Sequence, residues 1–358
     1  MKSFRFLGLI VLAAAALSGQ SMTPPTTGAQ YWSTDSTLDC SATGSSTYTI
    51  SLASGGTGYV CIVSGTFPWL AAGGAWTTSI RASAPAAGAI GVDYSFYDKN
   101  GNSLTLDTTS GTNTVPASAN ELSFALTANG PSEVHLLGAS SEAPGYRTEQ
   151  DGSAYAIFYC PNADTCATVL PQLIYSSLPS QPWSLSVPIA WDNFFSAVQV
   201  QGAWTQWSAS GIDDGTAAHR VSLAIYNQMS TSTIFTVSVY DSNGKLAGQG
   251  TTAAIPGFNS VTQQAGTYGK ILTDIIKSPL PSGIFKITVD GGSNYSSVVI
   301  LQFTGGSGGA GSGTSLQVAY DTSSATSSLA STAPSSLVKS AVRQKAQRPR
   351  LPFNVVPK

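Results

Sequence analysis

The chain has 358 residues, a net charge of −2 and only 9% charged side chains, against about 25% in ordinary soluble proteins. All eighteen acids lie at or before Asp321, whereas six of the sixteen bases (Lys339, Arg343, Lys345, Arg348, Arg350, Lys358) follow it. Setting those six aside with Lys2 and Arg5 leaves eight bases against eighteen acids, an acidic body that argues against a nucleic-acid-binding core.

The chain opens with a basic start (Lys2, Arg5), an apolar run from Phe6 to Leu17 and the small residues Ser18 and Gly19. This is the layout of a cleaved signal peptide over residues 1–20, with cleavage expected after Ser18 or Gln20. The run is shorter than the roughly 20 residues that cross a bilayer, so no transmembrane helix is expected in the mature protein. The expected location is secreted or cell-surface.

Residues 21–66 read as a Pro/Thr/Gly lead-in followed by an N-terminal hairpin holding Cys40 and Cys61. Cys160 and Cys166 complete an even set, which in an exported chain points to disulfides. Four cysteines allow three pairings. The local one, Cys40–Cys61 with Cys160–Cys166, is preferred because each pair brackets a single turn-rich segment. Closing the longer loop is worth roughly 3 kcal/mol. Zinc fits poorly, since Cys-x5-Cys has the wrong spacing and neither histidine is near in sequence.

From Tyr31 to about Tyr320 short alternating runs with β-branched and aromatic residues are separated by Gly, Asn, Asp, Ser and Pro clusters, the pattern of an all-β protein. Three landmarks occur twice in one order. GAWTT (74–78) answers to GAWTQ (202–206), YDKNG (97–101) to YDSNG (240–244), and DGSAYAIFY (151–159) to DGGSNYSSVVILQF (290–303). The second copy has an insertion around SGIDDGTAAHRV (210–221). The expected organisation is a β-sandwich module over 67–187, a second over 188–320 and a disordered basic tail over 321–358. In both YD-x-NG phrases the Asn-Gly pair reads as a reverse turn. A Ca²⁺ loop would need further carboxylates that are missing. The one helix expected is Thr267–Ser278, with Ile271, Ile275 and Ile276 on one face and prolines after it.

The segment from Arg220 to Tyr320, with its YDSNG hairpin, LPSG (280–283) and the closing QFTG (302–305), is similar to an immunoglobulin-like β-sandwich module of secreted bacterial proteins. Trp76 to Tyr159 resembles it more weakly, lacking the LPSG helix. The resemblance implies a fold of two tandem immunoglobulin-like β-sandwiches in an extracellular, non-catalytic protein, and carries over no functional residue.

Chemistry-bearing residues are sparse. His135 and His219 lie in different modules within strand patterns, and the single G-x-S-x-G (305–309) sits in a glycine-rich stretch where composition alone produces it. Asp213 and Asp214 in GIDDG are the candidate Ca²⁺ ligands, beside the plainer reading of a solvated turn. Trp76 and Trp204, being repeated, read as core anchors, which leaves Trp191 and Trp207 as the candidate surface platform for a sugar ring. No catalytic residue, cofactor or resident metal is assigned, and the protein is not expected to be an enzyme. The expected function is adhesion or structure at the cell surface or in extracellular matrix, with a carbohydrate-binding protein as the alternative and an extracellular hydrolase behind it. The expected partner is an extracellular polysaccharide or envelope surface.

Overall fold

A computed structural model describes residues 30–41, 47–52, 55–74, 76–83, 89–110, 113–126, 133–138, 148–169, 171–177, 184–191, 206–213, 220–294, 296–304, 312–316 and 319–320. The signal peptide, the basic tail, Trp183, Trp204, Asp214 and His219 fall outside them.

The N-terminal part runs β1 (Thr47–Ser51), β2 (Thr57–Ala72), β3 (Trp76–Arg81), β4 (Ile90–Asp98), β5 (Leu106–Ser110), β6 (Asn113–Ala119), β7 (Glu121–Leu126), β8 (Glu133–Gly138) and β9 (Gln150–Cys160). A single-turn helix α1 (Ala163–Cys166), β10 (Gln172–Ser177), β11 (Ser184–Pro188) and β12 (Ala190–Trp191) follow. They form sheet I, ordered β1-β2-β9-β4-β7 with β12 also on β2, and sheet II, ordered β11-β10-β3-β8-β5-β6. The C-terminal part runs β13 (Gln206–Asp213), β14 (Arg220–Asn227), β15 (Thr236–Tyr240), β16 (Leu246–Thr251), β17 (Thr267–Ile271), helix α2 (Leu272–Ile276), β18 (Gly283–Asp290), β19 (Ser296–Thr304), β20 (Ser312–Leu316) and β21 (Ala319–Tyr320). Sheet III is ordered β16-β15-β18-β13-β21 and sheet IV β17-β14-β19-β20. Every strand pairing is antiparallel. The all-β expectation stands.

Alternation selects the faces. In β18, Phe285, Ile287 and Val289 are buried while Ile284, Lys286 and Thr288 point the other way. They meet Val237 and Val239 of β15 and Val221, Leu223, Ile225, Val298 and Ile300 of sheet IV in one core. Sheets I and II share another, with Val63, Phe67, Phe96 and Phe158 against Ile80, Val134, Leu136, Leu173 and Tyr175. Strand β2 is apolar almost throughout because both its faces are covered. Val60 and Ile62 lie on the outer side with Ile50 of β1 and are covered by Tyr31, so residues 30–41 form a strap over sheet I. Tyr31 and Trp32 sit on Gly91 and Gly58, where an added Cβ would fall 2.8 Å from the respective rings. The expected boundary between residues 66 and 67 therefore falls inside β2, and the strap adds to the first pair of sheets.

Two expectations change. Residues 267–271 are strand and only Leu272–Ile276 are helical, because Thr267–Ile271 complete an antiparallel ladder with Ser222–Tyr226. Lys277 then ends the helix at a left-handed φ of 55°. The two YD-x-NG phrases make the same turn in different places. In each, the Asp Oδ1 accepts backbone N–H groups two and four residues on, at 2.8–2.9 Å, with glycine at φ 79° or 78°. Asp98 closes β4 of sheet I, whereas Asp241 joins β15 to β16 in sheet III.

The two parts are in contact. Ala224, Val299 and Leu301, on the outer face of sheet IV, belong to the same apolar cluster as the core of sheets I and II. Trp69 lies on Gly269, where a Cβ would fall 2.7 Å from its ring. The Asp98–Asn102 turn is seated on the loop before β17. Thr267 N–H donates to Lys99 O (3.0 Å), Thr262 Oγ1 to Gly101 O (2.5 Å) and Asn259 Nδ2 to Asn102 Oδ1 (2.9 Å), and Thr267 Oγ1 donates to Pro68 O.

Candidate functional site

The cysteines pair as Cys40–Cys61 and Cys160–Cys166, with Cα–Cα separations of 5.5 and 5.4 Å, ordinary for a disulfide. Cys61 and Cys160 are also cross-strand neighbours in β2 and β9, so both bridges stand at one end of sheet I. The Asn162 side chain accepts the Thr165 N–H (2.8 Å) and starts the short helix that carries Cys166. One bridge ties down the strap and the other the exit from β9.

The backbones of the sequence-predicted ligand residues Trp191, Trp207 and Asp213 lie on sheets I and III. Trp191 pairs with Gly65 on β2, and Trp207 with Val289 and Tyr320 in sheet III. Asp213 ends β13 opposite Gly283. The side chains of Trp191, Trp207 and Asp213 lie outside the described residues. Trp76 packs against the first core, edge-on to Tyr175 with ring centroids 5.7 Å apart. Among the described residues no group of three His, Cys, Asp or Glu side chains is placed to hold a metal ion.

His135 does meet a hydroxyl residue, for it is the cross-strand partner of Ser79 on the outer face of sheet II. Ser79 Oγ, however, donates to Glu133 Oε1 at 2.5 Å, and Glu133 Oε2 holds Arg81 at 2.7 Å. Partial burial pushes the Glu133 carboxyl up. Ser79, Arg81 and His135 outweigh this and hold it below the usual range. The serine proton is thus committed to an ion-paired carboxylate, not to an imidazole base, which is not the wiring of an activated nucleophile.

Two acidic clusters were not singled out from the sequence. In EQDG (149–152) the i, i+2 spacing of Glu149 and Asp151 at the start of β9 places both carboxyls on one side of an extended chain. They hydrogen-bond to each other. Burial, then the charge of Glu149 and that hydrogen bond, push Asp151 up to about 6, opposed by Lys99. Trp76 Nε1 donates to Glu149 Oε1 at 2.9 Å, which fixes the pair beside the first core. The second cluster lies under the strap. Asp93 Oδ2 accepts from Tyr159 Oη (2.6 Å), beside Tyr31. Burial raises the Asp93 carboxyl, outweighing hydrogen bonds from Ser123 and Tyr159, and Glu121 adds to the rise. Burial, then the Asp93 charge, push the Tyr31 phenol up to about 12. A single tyrosine in VDY or IFY carries no such signal, because the pairing of β4 with β9 creates the contact.

No helix among the described residues is long and apolar enough to cross a membrane. Comparison of the chain with protein-family models, with curated proteins and with solved structures finds no match.

Proposed function

We propose that the protein is a secreted, non-catalytic protein of the cell surface or extracellular matrix, built from two tandem immunoglobulin-like β-sandwiches and serving adhesion or structure. The sheet orders support the duplication. Sheet II contains β10-β3-β8-β5-β6 and sheet III contains β21-β13-β18-β15-β16; sheet I contains β2-β9-β4-β7 and sheet IV β20-β19-β14-β17. Strands β3 to β9 thus answer one to one to β13 to β19.

The observation that carries the functional reading is the contact between the two bodies. A free pair of sheets would leave the outer face of sheet IV to water. Here Ala224, Val299 and Leu301 are buried on the first body, and the Lys99–Asn102 turn is hydrogen-bonded into the second. Two bodies fixed in this way, with disulfides and few surface charges, suit a rigid extracellular strut more than a hinged catalyst. The mass of the chain recovered from cells, thiol titration and surface fractionation with and without residues 321–358 test the reading. It expects removal of about the first 20 residues, two oxidised pairs and material at the cell exterior. A full-length chain retained inside cells with four reduced thiols would overturn it.

A further inference from the structure

Among the described residues, the chain covers the outer faces of two of the four sheets. The strap lies on sheet I, and the first body lies on sheet IV. The outer face of sheet II carries the Arg81–Glu133 ion pair beside His135. The outer face of sheet III is different. Cross-strand register sets Gln249, Ser238, Thr288 and Ser208 in one row and Thr251, Thr236, Asp290 and Gln206 in the next. A third row holds Leu246, Tyr240 and Lys286. All of these side chains lie opposite the buried Val237, Val239, Ile287 and Val289.

We propose that this face of sheet III is a docking surface for a neutral polysaccharide. The proposal rests on the surface-adhesion reading for its setting and names the partner that reading leaves open. Rows of a sheet repeat at about 4.8 Å across strands and, for residues on one face, about 6.7 Å along them. Apart from the buried Ser238, the face is therefore a grid of hydroxyl and amide groups, able to donate and to accept toward sugar hydroxyls. Part of it is held in place, since Gln249 Nε2 donates to Ser238 Oγ (2.9 Å) and Gln206 Nε2 to Asp290 Oδ2 (3.0 Å). Fixed side chains lose less freedom on binding. The only charges in the rows are Lys286 and Asp290, one of each sign, and the Asp290 carboxylate is occupied by Gln206 and by Gly292 N–H. A face with no net charge complements an uncharged glycan and does not attract nucleic acid or an anionic membrane. Tyr240 is half-buried at one border, beside the exposed Leu246, and offers an apolar surface to the C–H side of a sugar ring.

The test is a pull-down of the full mature chain on insoluble neutral polysaccharides (amorphous cellulose, mannan, β-1,3-glucan), with alginate as the anionic comparison. Retention is expected on at least one neutral polymer and should persist at about 1 M salt, where charges are screened beyond roughly 3 Å. Thr288→Glu, which places a charge in the middle row, and Tyr240→Ala should each weaken it about tenfold or more, while His135→Ala on sheet II leaves it unchanged. If Thr288→Glu does not fold, judged by its urea midpoint, Gln249→Lys at the edge of the row replaces it with the same expectation. Absence of retention on every neutral polymer overturns the proposal. So does undiminished binding by the folded sheet III variants, or binding to alginate alone that salt abolishes. Because the pull-down uses purified protein, it is blind to export, and a failure of the localisation reading shows only in the processing and fractionation of cells.

Discussion

The same turn occurs once between the two bodies and once in solvent, so the chain contains its own control for the strength of the contact. Gly101 and Gly244 have φ of 79° and 78° in turns with matching Asp hydrogen bonds. Replacing either with alanine forces an L-residue into the left-handed region at about 1–2 kcal/mol. At Gly244 that is the whole cost, since nothing lies within 4 Å of an added Cβ. At Gly101 the new Cβ would fall 2.4 Å from the Gln264 carbonyl oxygen, a backbone atom that cannot rotate away. The loop must retreat by about an ångström to reach ordinary contact. That would break the bonds from Thr267 N–H to Lys99 O, Thr262 Oγ1 to Gly101 O and Asn259 to Asn102. At about 1 kcal/mol for each, Gly101→Ala should exceed Gly244→Ala in destabilisation by about 2–3 kcal/mol. Urea unfolding of the two variants beside the parent chain, followed by tryptophan fluorescence, reads the difference directly. Destabilisation equal within about 0.5 kcal/mol would refute the reasoning, because it would mean that the turn is not seated on the second body.

Asn227 is fully buried, and its Nδ2 reaches the carbonyls of Thr231, Ile255 and Pro256 at 2.9–3.1 Å. Asn227→Ala strips these acceptors of their donor and should cost about 2–4 kcal/mol in urea unfolding. The native Asp151 pKa of about 6 lies above the ordinary 3.8. The folded chain therefore holds a proton that the unfolded chain has released between those values. The associated stability is complete below 3.8 and is lost as pH rises through about 6, so Asp151→Asn should flatten that fall in urea midpoints measured from pH 4 to 8. The Cys40–Cys61 bridge closes a loop with a sequence separation of 21, worth about 3 kcal/mol by chain entropy. Replacing both cysteines with alanine should expose the strap to limited proteolysis well before the strands of sheet III are cut.

The all-β architecture was legible because its signals are local. Alternation in FKITV (285–289) or AYAIFY (154–159) states which residues share a face, and Asn-Gly states where the chain reverses. The cysteine pairing was legible for the same reason, each bridge spanning one short loop. What stayed hidden depends on long-range pairing. The seats of Tyr31 and Trp32 on Gly91 and Gly58 exist only because residues 30–41 lie over sheet I. The one hint was the unbroken apolar character of YVCIV (59–63), which requires cover on both faces. The helix expected at Thr267–Ser278 came out half strand because a neighbouring ladder, absent from any local reading, claimed Thr267–Ile271.

The repeated YD-x-NG phrase shows how a true regularity can carry the wrong reason. An aspartate that accepts two backbone N–H groups, followed by a glycine at positive φ, is complete within five residues and asks nothing of the surrounding fold. Selection can therefore place it at any reversal, and here it stands at two that are not equivalent. In the order of the sheets β4 corresponds to β14, so the position matching Tyr97 and Asp98 is Tyr226 and Asn227. That junction is built differently: the first body reverses with a compact Asx turn, while the second caps its loop with a buried Asn227 amide. Strand order and alternation, which tolerate nearly complete change of residues, are what support the proposed duplication, and the visible echo belongs to turn chemistry. What distinguishes the two echoes is surroundings: Gly101 faces the Gln264 carbonyl and Gly244 faces open space.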